Sequence, residues 1–464
     1  MGDLDKILIS NRGEIARRII RSCRQLGLKT VAIYSEADAG AAHVAEADEA
    51  YAVGPPRPQE SYLVIDRILD AARMSSAQAI HPGYGFLSEN AHFARAVENA
   101  GLTWIGPSPE TIELMGDKGR AREAAAALGV PVVPGSRRFR PDDLTGLEAA
   151  AASVGFPLLV KAAMGGGGIG MRRIDSADKL AAAVEATQSM AAKAFGDDTI
   201  YLERFIGKAR HVEIQVFGFG DGEAIHLFER DCSLQRRFQK VIEESPAPGI
   251  PPEIRRRMAD AAIALCRATR YRSAGTIEYI VDADTFDFYF LAMNTRIQVE
   301  HPVTEMVTGT DLVAMQIELA RGRLTHGEQP PVVQSGCAIE CRLYAENPGK
   351  MFMPSPGPLT VFQLPAQSET VRIDSGYREG DVMTPFYDPM IAKIVVLGTT
   401  RKEAIVRATE ALRSCRVEGI RTNREFLLAC LHDPLFVAGD VSTGFIEQRH
   451  KLLVASSTAA QPTQ

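Results

Sequence analysis

Asn294, Arg296, Gln298 and Glu300 occupy alternate positions of the segment Met293-Asn294-Thr295-Arg296-Ile297-Gln298-Val299-Glu300-His301-Pro302. In an extended strand alternate side chains share a face, so these four would line one wall while Met293, Ile297 and Val299 turn to the core. An amide, a guanidinium, a second amide and a carboxylate then converge on one small volume. Alternation alone also describes a solvated strand face, but so specific a set, with other chemical motifs beside it, reads as a reaction site. Two positions before Asn294 stands Ala292, a methyl group where the polar wall would otherwise continue.

A second motif is Gly165-Gly166-Gly167-Gly168-Ile169-Gly170, which formally satisfies the dinucleotide pattern G-x-G-x-x-G. That fingerprint needs a helix directly after the glycines, whereas Pro157 to Lys161 and Met171 to Ile174 both read as strands, so the glycines form a hairpin tip. Consecutive glycines expose backbone N–H groups that can cradle phosphate oxygens; a plain surface hairpin is the alternative reading. The P-loop pattern is absent, and Lys161 and Lys118 are placed to reach phosphates.

The elements that would carry these residues begin with a strand–helix alternation over the first ~115 residues. Strands are expected at Ile7 to Ile9, Thr30 to Tyr34 and Ala77 to Ile80, with helices at Glu14 to Leu26 and Tyr62 to Arg73, which implies a parallel sheet covered by helices. Gly106-Pro107-Ser108-Pro109 closes this region, Pro330-Pro331 reads as a linker, and a mixed third region runs from Gly336 to about Leu453. The expected divisions are 1–115, 116–334 and 335–453, with 454–464 a disordered tail.

With 464 residues, 45% of them apolar, the chain can bury cores for about three domains. A net charge of -6 argues against nucleic acid as a partner, and no apolar run reaches the length of a membrane span. The start lacks a signal peptide's features, so a cytoplasmic location is expected. Seven scattered cysteines do not form a disulfide framework, and Cys337 and Cys341 read as small core residues rather than metal ligands.

A glycine hairpin after a strand ending in lysine, with Glu278 in Gly275-Thr276-Ile277-Glu278 preceding Met293-Asn294-Thr295-Arg296, resembles the ATP-grasp superfamily. More narrowly, the chain resembles the biotin carboxylase component of biotin-dependent carboxylases such as acetyl-CoA carboxylase. The likeness runs from Ser10-Asn11-Arg12-Gly13-Glu14-Ile15-Ala16 through His81-Pro82-Gly83-Tyr84-Gly85-Phe86-Leu87-Ser88-Glu89-Asn90 to Tyr387-Asp388-Pro389-Met390. It implies a multidomain α/β and α+β chain: an N-terminal doubly wound, Rossmann-like domain, a central ATP-grasp domain with a mobile lid at about 132–203, and a C-terminal mixed α+β domain.

The resemblance also implies a reaction in which ATP phosphorylates bicarbonate to carboxyphosphate and the carboxyl group passes to biotin. Lys118, Lys161, His211, Gln235 and the glycines Gly165, Gly166, Gly167 and Gly168 then match nucleotide-binding positions, and Glu203 matches the hinge that holds adenine. Lys240, Arg296, Gln298 and the backbone of Val299 would form the bicarbonate niche. Glu300 matches the general base, Arg342 the group that stabilises negative charge on biotin, and Tyr84 a residue beside the biotin ring. Glu278 and Asn294 match Mg²⁺ (or Mn²⁺) ligands. No Ala-Met-Lys-Met occurs, so biotin is expected on a separate carrier protein, with a carboxyltransferase subunit as a further partner and a homodimer as the assembly.

The chain departs from the family at the metal and nucleotide. Family members carry a glutamate at the position of Ala292, which bridges paired Mg²⁺ ions; losing it removes a ligand and a negative charge. Phe238 stands in place of a histidine that contacts ribose, Ile169 in place of a basic residue, Met164 in place of a small one, and Tyr344 in place of an asparagine. Three readings remain open at this point: an impaired but active biotin carboxylase, an ATP-grasp ligase with an altered acceptor, and a non-catalytic or engineered-inactive homologue.

Overall fold

The structure, a computed structural model, describes residues 4–163, 170–195, 197–325 and 332–459. Its N-terminal part is built on five parallel strands: β1 (Lys6–Ile9), β2 (Lys29–Ser35), β3 (Glu49–Gly54), β4 (Ala79–His81) and β5 (Thr103–Trp104), in the order β3-β2-β1-β4-β5. The apolar run Ile7-Leu8-Ile9 is buried on both faces, as a strand between two helical layers requires. Helix α1 (Gly13–Gln25) covers one face with Ile15, Ala16, Ile19 and Ile20. Helices α2 (Ile65–Ser75) and α3 (Ala91–Asn99) cover the other.

A small antiparallel sheet, β7-β6-β8, made of β6 (Leu158–Ala162), β7 (Met171–Ile174) and β8 (Ile200–Arg204), lies within the segment expected to form the lid. It has a core of its own around Leu158, Val160, Ile174, Ile200 and Leu202. Gly165, Gly166, Gly167 and Gly168, with Met164 and Ile169, fall outside the described residues.

The largest element is an eight-stranded antiparallel sheet. Its strands are β9 (Ala209–Phe219), β10 (Ala224–Arg236), β11 (Gln239–Ser245), β12 (Arg272–Asp282), β13 (Phe288–Asn294), β14 (Cys337–Tyr344), β15 (Val371–Ser375) and β16 (Met390–Gly398), ordered β13-β12-β9-β10-β11-β14-β16-β15. It crosses the division expected at 335 without a break, because β14 pairs directly with β11. Along β9, Val212, Ile214 and Val216 enter a core that also holds Met258, Ala262 and Leu265 of helix α4 (Pro252–Ala268). His211, Glu213 and Gln215 therefore take the opposite face.

Two expectations need correction. The strand read from Met293 to Glu300 ends at Asn294, and Thr295 to Glu300 is an irregular connection that turns into helix α5 (His301–Thr308). Proline at the second helical position and the left-handed Gly309 after the last fit a helix that starts and stops there. The last helix, Phe445–Ala459, also runs into the tail expected at 454–464, of which 460–464 lie outside the described residues. Leu453 is buried and Val454 packs on the same core, which anchors the turns that follow. Among the described residues no helix is long and apolar enough to cross a membrane.

His81 closes β4 just before Tyr84. Its Nδ1 accepts from the Gly83 N–H at 3.1 Å and its Nε2 donates to Gln316 Oε1 at 3.2 Å. Burial pushes its pKa down to about 3, and burial likewise pushes His43 to about 4. Both are neutral when folded, whereas unfolded histidine titrates near ~6.5. Stability is therefore complete above that value and falls as pH drops from ~6.5 towards 4 and 3, because only the unfolded chain takes up the protons. Urea unfolding midpoints are expected to fall between pH ~7.5 and ~5.5, and glutamine at both positions to flatten that fall.

Candidate active site

Lys240, on β11, points its ammonium among three carboxylates. Nζ lies 2.7 Å from Glu213 Oε2, 3.0 Å from Glu278 Oε1 and 2.5 Å from Glu300 Oε1. Each carboxylate comes from a different element: Glu213 from β9, Glu278 from β12, and Glu300 from the turn that caps α5. Arg342, on β14, takes the other oxygen of Glu300, with Nη2 at 2.8 Å from Oε2.

Behind them Arg230 is wholly buried on β10. Its guanidinium donates to Glu213 Oε1 at 2.6 Å, Gln215 Oε1 at 2.6 Å, Thr304 Oγ1 at 2.9 Å, Thr276 Oγ1 at 3.1 Å and Gln298 Oε1 at 2.8 Å. Gln298 in turn donates from Nε2 to Glu278 Oε1 at 3.2 Å. The set is a closed network of charge-assisted hydrogen bonds in a place with little water.

These contacts set the ionisation of Glu300. Burial pushes its carboxyl up, but Lys240, then Arg342, then Arg230 overcome burial and hold it well below the ordinary carboxylate range. Glu278 follows the same pattern, burial being outweighed by Lys240 and then His211. Glu300 is therefore an anion facing two cations, able to accept a proton from an acid bound beside it.

The structure brings together Glu300, Lys240, Gln298, Arg342, Glu278 and His211, whose Nε2 is 3.5 Å from Glu278 Oε1. Gln235 is beside His211, with Nε2 at 3.4 Å from Nδ1. The other half of the expected wall is turned aside. Arg296 is held by Glu89 of the N-terminal domain at 2.9 Å and by Asn294 Oδ1 at 3.4 Å. Val299 presents its carbonyl to Lys393 Nζ at 2.9 Å. Tyr84 donates a hydrogen bond from its hydroxyl to Glu14, which also pairs with Lys393 at 3.0 Å. Lys161 and Glu203, expected to meet different parts of a nucleotide, instead pair with each other at 2.6 Å, with Arg122 on the second oxygen at 3.0 Å. Lys118 is exposed at the start of its helix, Lys118–Ala127.

Glu213, Arg230 and Lys393 were not among the expected residues. A signal existed in Arg210-His211-Val212-Glu213-Ile214-Gln215, where polar and apolar residues alternate as they do in the 293–300 segment. Phe238, with Arg237, forms the two-residue tip between β10 and β11, both at positive φ (69° and 48°). The ring is 63% exposed there.

For a divalent cation, Glu278 offers a carboxylate and Asn294 an amide oxygen. Ala292 is the direct cross-strand partner of Glu278, so a methyl group stands where a second carboxylate would face it. Mg²⁺ bound to a nucleotide commonly takes one or two carboxylates plus phosphate oxygens. The donors present fit one such ion and leave no carboxylate at position 292 to bridge a second.

Removing Lys240 leaves Glu213, Glu278 and Glu300 facing one another without their shared cation. Lys240→Met is expected to destabilise the fold by roughly 3 kcal/mol, the lower end of the cost of breaking a buried ion pair. Millimolar Mg²⁺ is expected to restore part of the loss, read from urea unfolding with and without the ion.

Comparison with known proteins agrees along the whole chain. Residues 3–112 match the family model "Biotin carboxylase, N-terminal domain", 117–326 "Carbamoyl-phosphate synthase L chain, ATP binding domain", and 340–448 "Biotin carboxylase C-terminal domain". The chain is 50% identical over 446 residues to biotin carboxylase 2 of Bacillus subtilis (strain 168), covering 96% of this chain and 99% of that protein. It is 47% identical over 461 residues to the mitochondrial methylcrotonoyl-CoA carboxylase subunit alpha of Mus musculus, covering 99% of this chain but 64% of that longer protein. Among solved structures, the biotin carboxylase domain dimer of Hydrogenobacter thermophilus 2-oxoglutarate carboxylase, in complex with MgADP, ADP and bicarbonate, superposes with a TM-score of 0.88 at 42% identity, over 98% of this chain and 99% of that one.

Proposed function

The chain belongs to the biotin carboxylase family, and from that premise we propose that it uses ATP and bicarbonate to carboxylate biotin through carboxyphosphate. The observation that carries the reading is Glu300 held ionised between Lys240 and Arg342. Bicarbonate would sit against Lys240 and Gln298. Glu300 takes its proton, and the oxyanion so formed attacks the γ-phosphorus of ATP as the bond to ADP breaks.

Carboxyphosphate then releases CO₂ and phosphate, phosphate removes the proton from the ureido nitrogen of biotin, and that nitrogen attacks CO₂. Arg342 faces the ureido oxygen as negative charge grows there, an oxyanion role suited to a fixed guanidinium. Tyr84, on the N-terminal domain, lies beside the ring. Glu278 and Asn294 would hold a Mg²⁺ ion, which when bound offsets the charge of the phosphates. Lys118, Lys161, Glu203, His211 and Gln235 serve the nucleotide, so the Lys161–Glu203 pair must open for ATP to enter.

The biotin would be presented by a carrier protein or carrier domain that also visits a carboxyltransferase. The chain spans 64% of the length of the mouse methylcrotonoyl-CoA carboxylase subunit it matches, and on that likeness an acyl-CoA carboxylase is the assembly we propose for it. A homodimer is in keeping with the dimeric Hydrogenobacter domain. Ala292 favours a second reading, a subunit that binds nucleotide without turnover.

Phosphate release from ATP decides between them. Bicarbonate-dependent release stimulated by free biotin is expected, raised roughly tenfold or more by Ala292→Glu through the restored ligand. Glu300→Gln is expected to lower it by about 10² or more through loss of the base. No stimulation by biotin in the wild type or in Ala292→Glu overturns the catalytic reading, and nucleotide binding by calorimetry in that case supports the second.

A further inference from the structure

The sheet face beneath α5 carries more charge than a pair of cations around Glu300 accounts for. Glu243 on β11 and Glu340 on β14 are direct register partners, so their side chains leave the sheet on one face with Cβ atoms about 5 Å apart. Both are fully buried. Arg342, two residues beyond Glu340, shares that face, and Lys393 of β16 stands opposite Arg342. The alternate positions Ile242, Ile339 and Cys341 enter the apolar core on the other side. The charged face is thus the one closed by α5, whose Val303 and Val307 pack on Ala338 and Val395.

Within that space Arg342 Nη2 is 2.5 Å from Glu243 Oε1 and 2.8 Å from Glu300 Oε2, so one nitrogen serves two carboxylates. Neither the oxygens of Glu340 nor those of Glu243 have a hydrogen-bond partner among the described residues, so Glu243 meets Arg342 as an ion pair only. Two carboxylates placed side by side away from water do not both stay ionised when the one guanidinium paired with either of them is already committed to a third carboxylate.

We propose that Glu243 is a positioning residue for the carboxylation reaction, an inference that rests on the proposed function: sharing one proton with Glu340 across the sheet, it anchors Arg342 while Glu300 changes its charge. When Glu300 takes the bicarbonate proton, its attraction for Arg342 weakens. A guanidinium held by Glu300 alone would then be free to turn away at the step that needs it. Glu243 keeps it in place.

Burial is the main cause pushing Glu340 well above the ordinary carboxylate range and Glu243 to about 7, in keeping with a proton held between them. The charged groups acting on Glu243 are Arg342, Glu300 and Lys240, with Glu340 across from it; those acting on Glu340 include Lys393 as well. From α5 come Glu300 at its cap, neutral His301, and Glu305, which Arg18 and Arg372 hold.

Two measurements on the full chain test this. The infrared difference spectrum of wild type minus Glu340→Gln in D₂O at neutral pH is expected to show a lost carboxylic-acid carbonyl band; loss of a carboxylate band alone overturns the shared proton. In kinetics, Glu243→Gln is expected to lower kcat roughly tenfold, less than the ~100-fold cost of deleting an oxyanion donor outright, with KM for ATP unchanged. Its acidic pH limb is expected to move to lower pH, because removing a like charge makes Glu300 harder to protonate. An unmoved limb with kcat within twofold of wild type overturns the positioning role. If the wild type shows no biotin-dependent turnover, the proposed reaction fails on its own account, and the infrared band decides whether the proton-sharing pair exists.

Discussion

One ammonium holds this site together. Lys240 sits among Glu213, Glu278 and Glu300, which leave the backbone at widely separated points of the chain. Carboxylates brought that close without a cation would repel one another and resist burial. The sheet can bring β9, β11, β12 and the cap of α5 together because Lys240 neutralises the side on which they meet and Arg230 neutralises the side behind. The layers under the helices are by contrast filled by Val, Ile and Leu. In this small volume the register of several strands is tied to the placement of two positive charges.

That constraint extends to the N-terminal domain. Lys393, wholly buried on β16, binds the Val299 carbonyl one residue before Glu300 and also Glu14 in the first turn of α1. Arg18, one turn further along α1, pairs with Glu305 of α5, and Arg372 reaches the same carboxylate from β15. Gly376 approaches so closely that an added Cβ would lie 2.7 Å from the backbone nitrogen of Glu14. The start of α5, and with it the aim of Glu300, is thus held from both flanking domains.

Much of this was legible in the residues. The alternation of strand and helix in the first ~115 positions predicts the parallel sheet, and His81 to Asn90 and Met293 to Pro302 carried the family likeness on their face. The alternating wall is not one strand, because period two says which residues share a side only while the backbone stays extended. Pairing ends at Asn294, and Gln298 and Glu300 reach the site through a turn. Arg296 faces Glu89 because its partner belongs to another domain, which no local pattern reveals. Glu213 and Arg230 lie in strands with many polar residues and Lys393 in an apolar one, and each resembles a surface position until the strand's far side is known to be covered.

The continuity of the central sheet has a consequence for how such chains can be recombined. The family models leave a gap between residues 326 and 340, which invites a cut there, yet β14 on one side is hydrogen-bonded to β11 on the other. Severing the chain at that point would bare two strand edges and separate Arg342 from Glu300. A chimera that takes its last third from a relative inherits half of a charge network whose other half was selected in a different protein. The exchangeable unit of this architecture is therefore the whole sheet with its cap, whereas the three-stranded sheet β7-β6-β8 carries a core of its own.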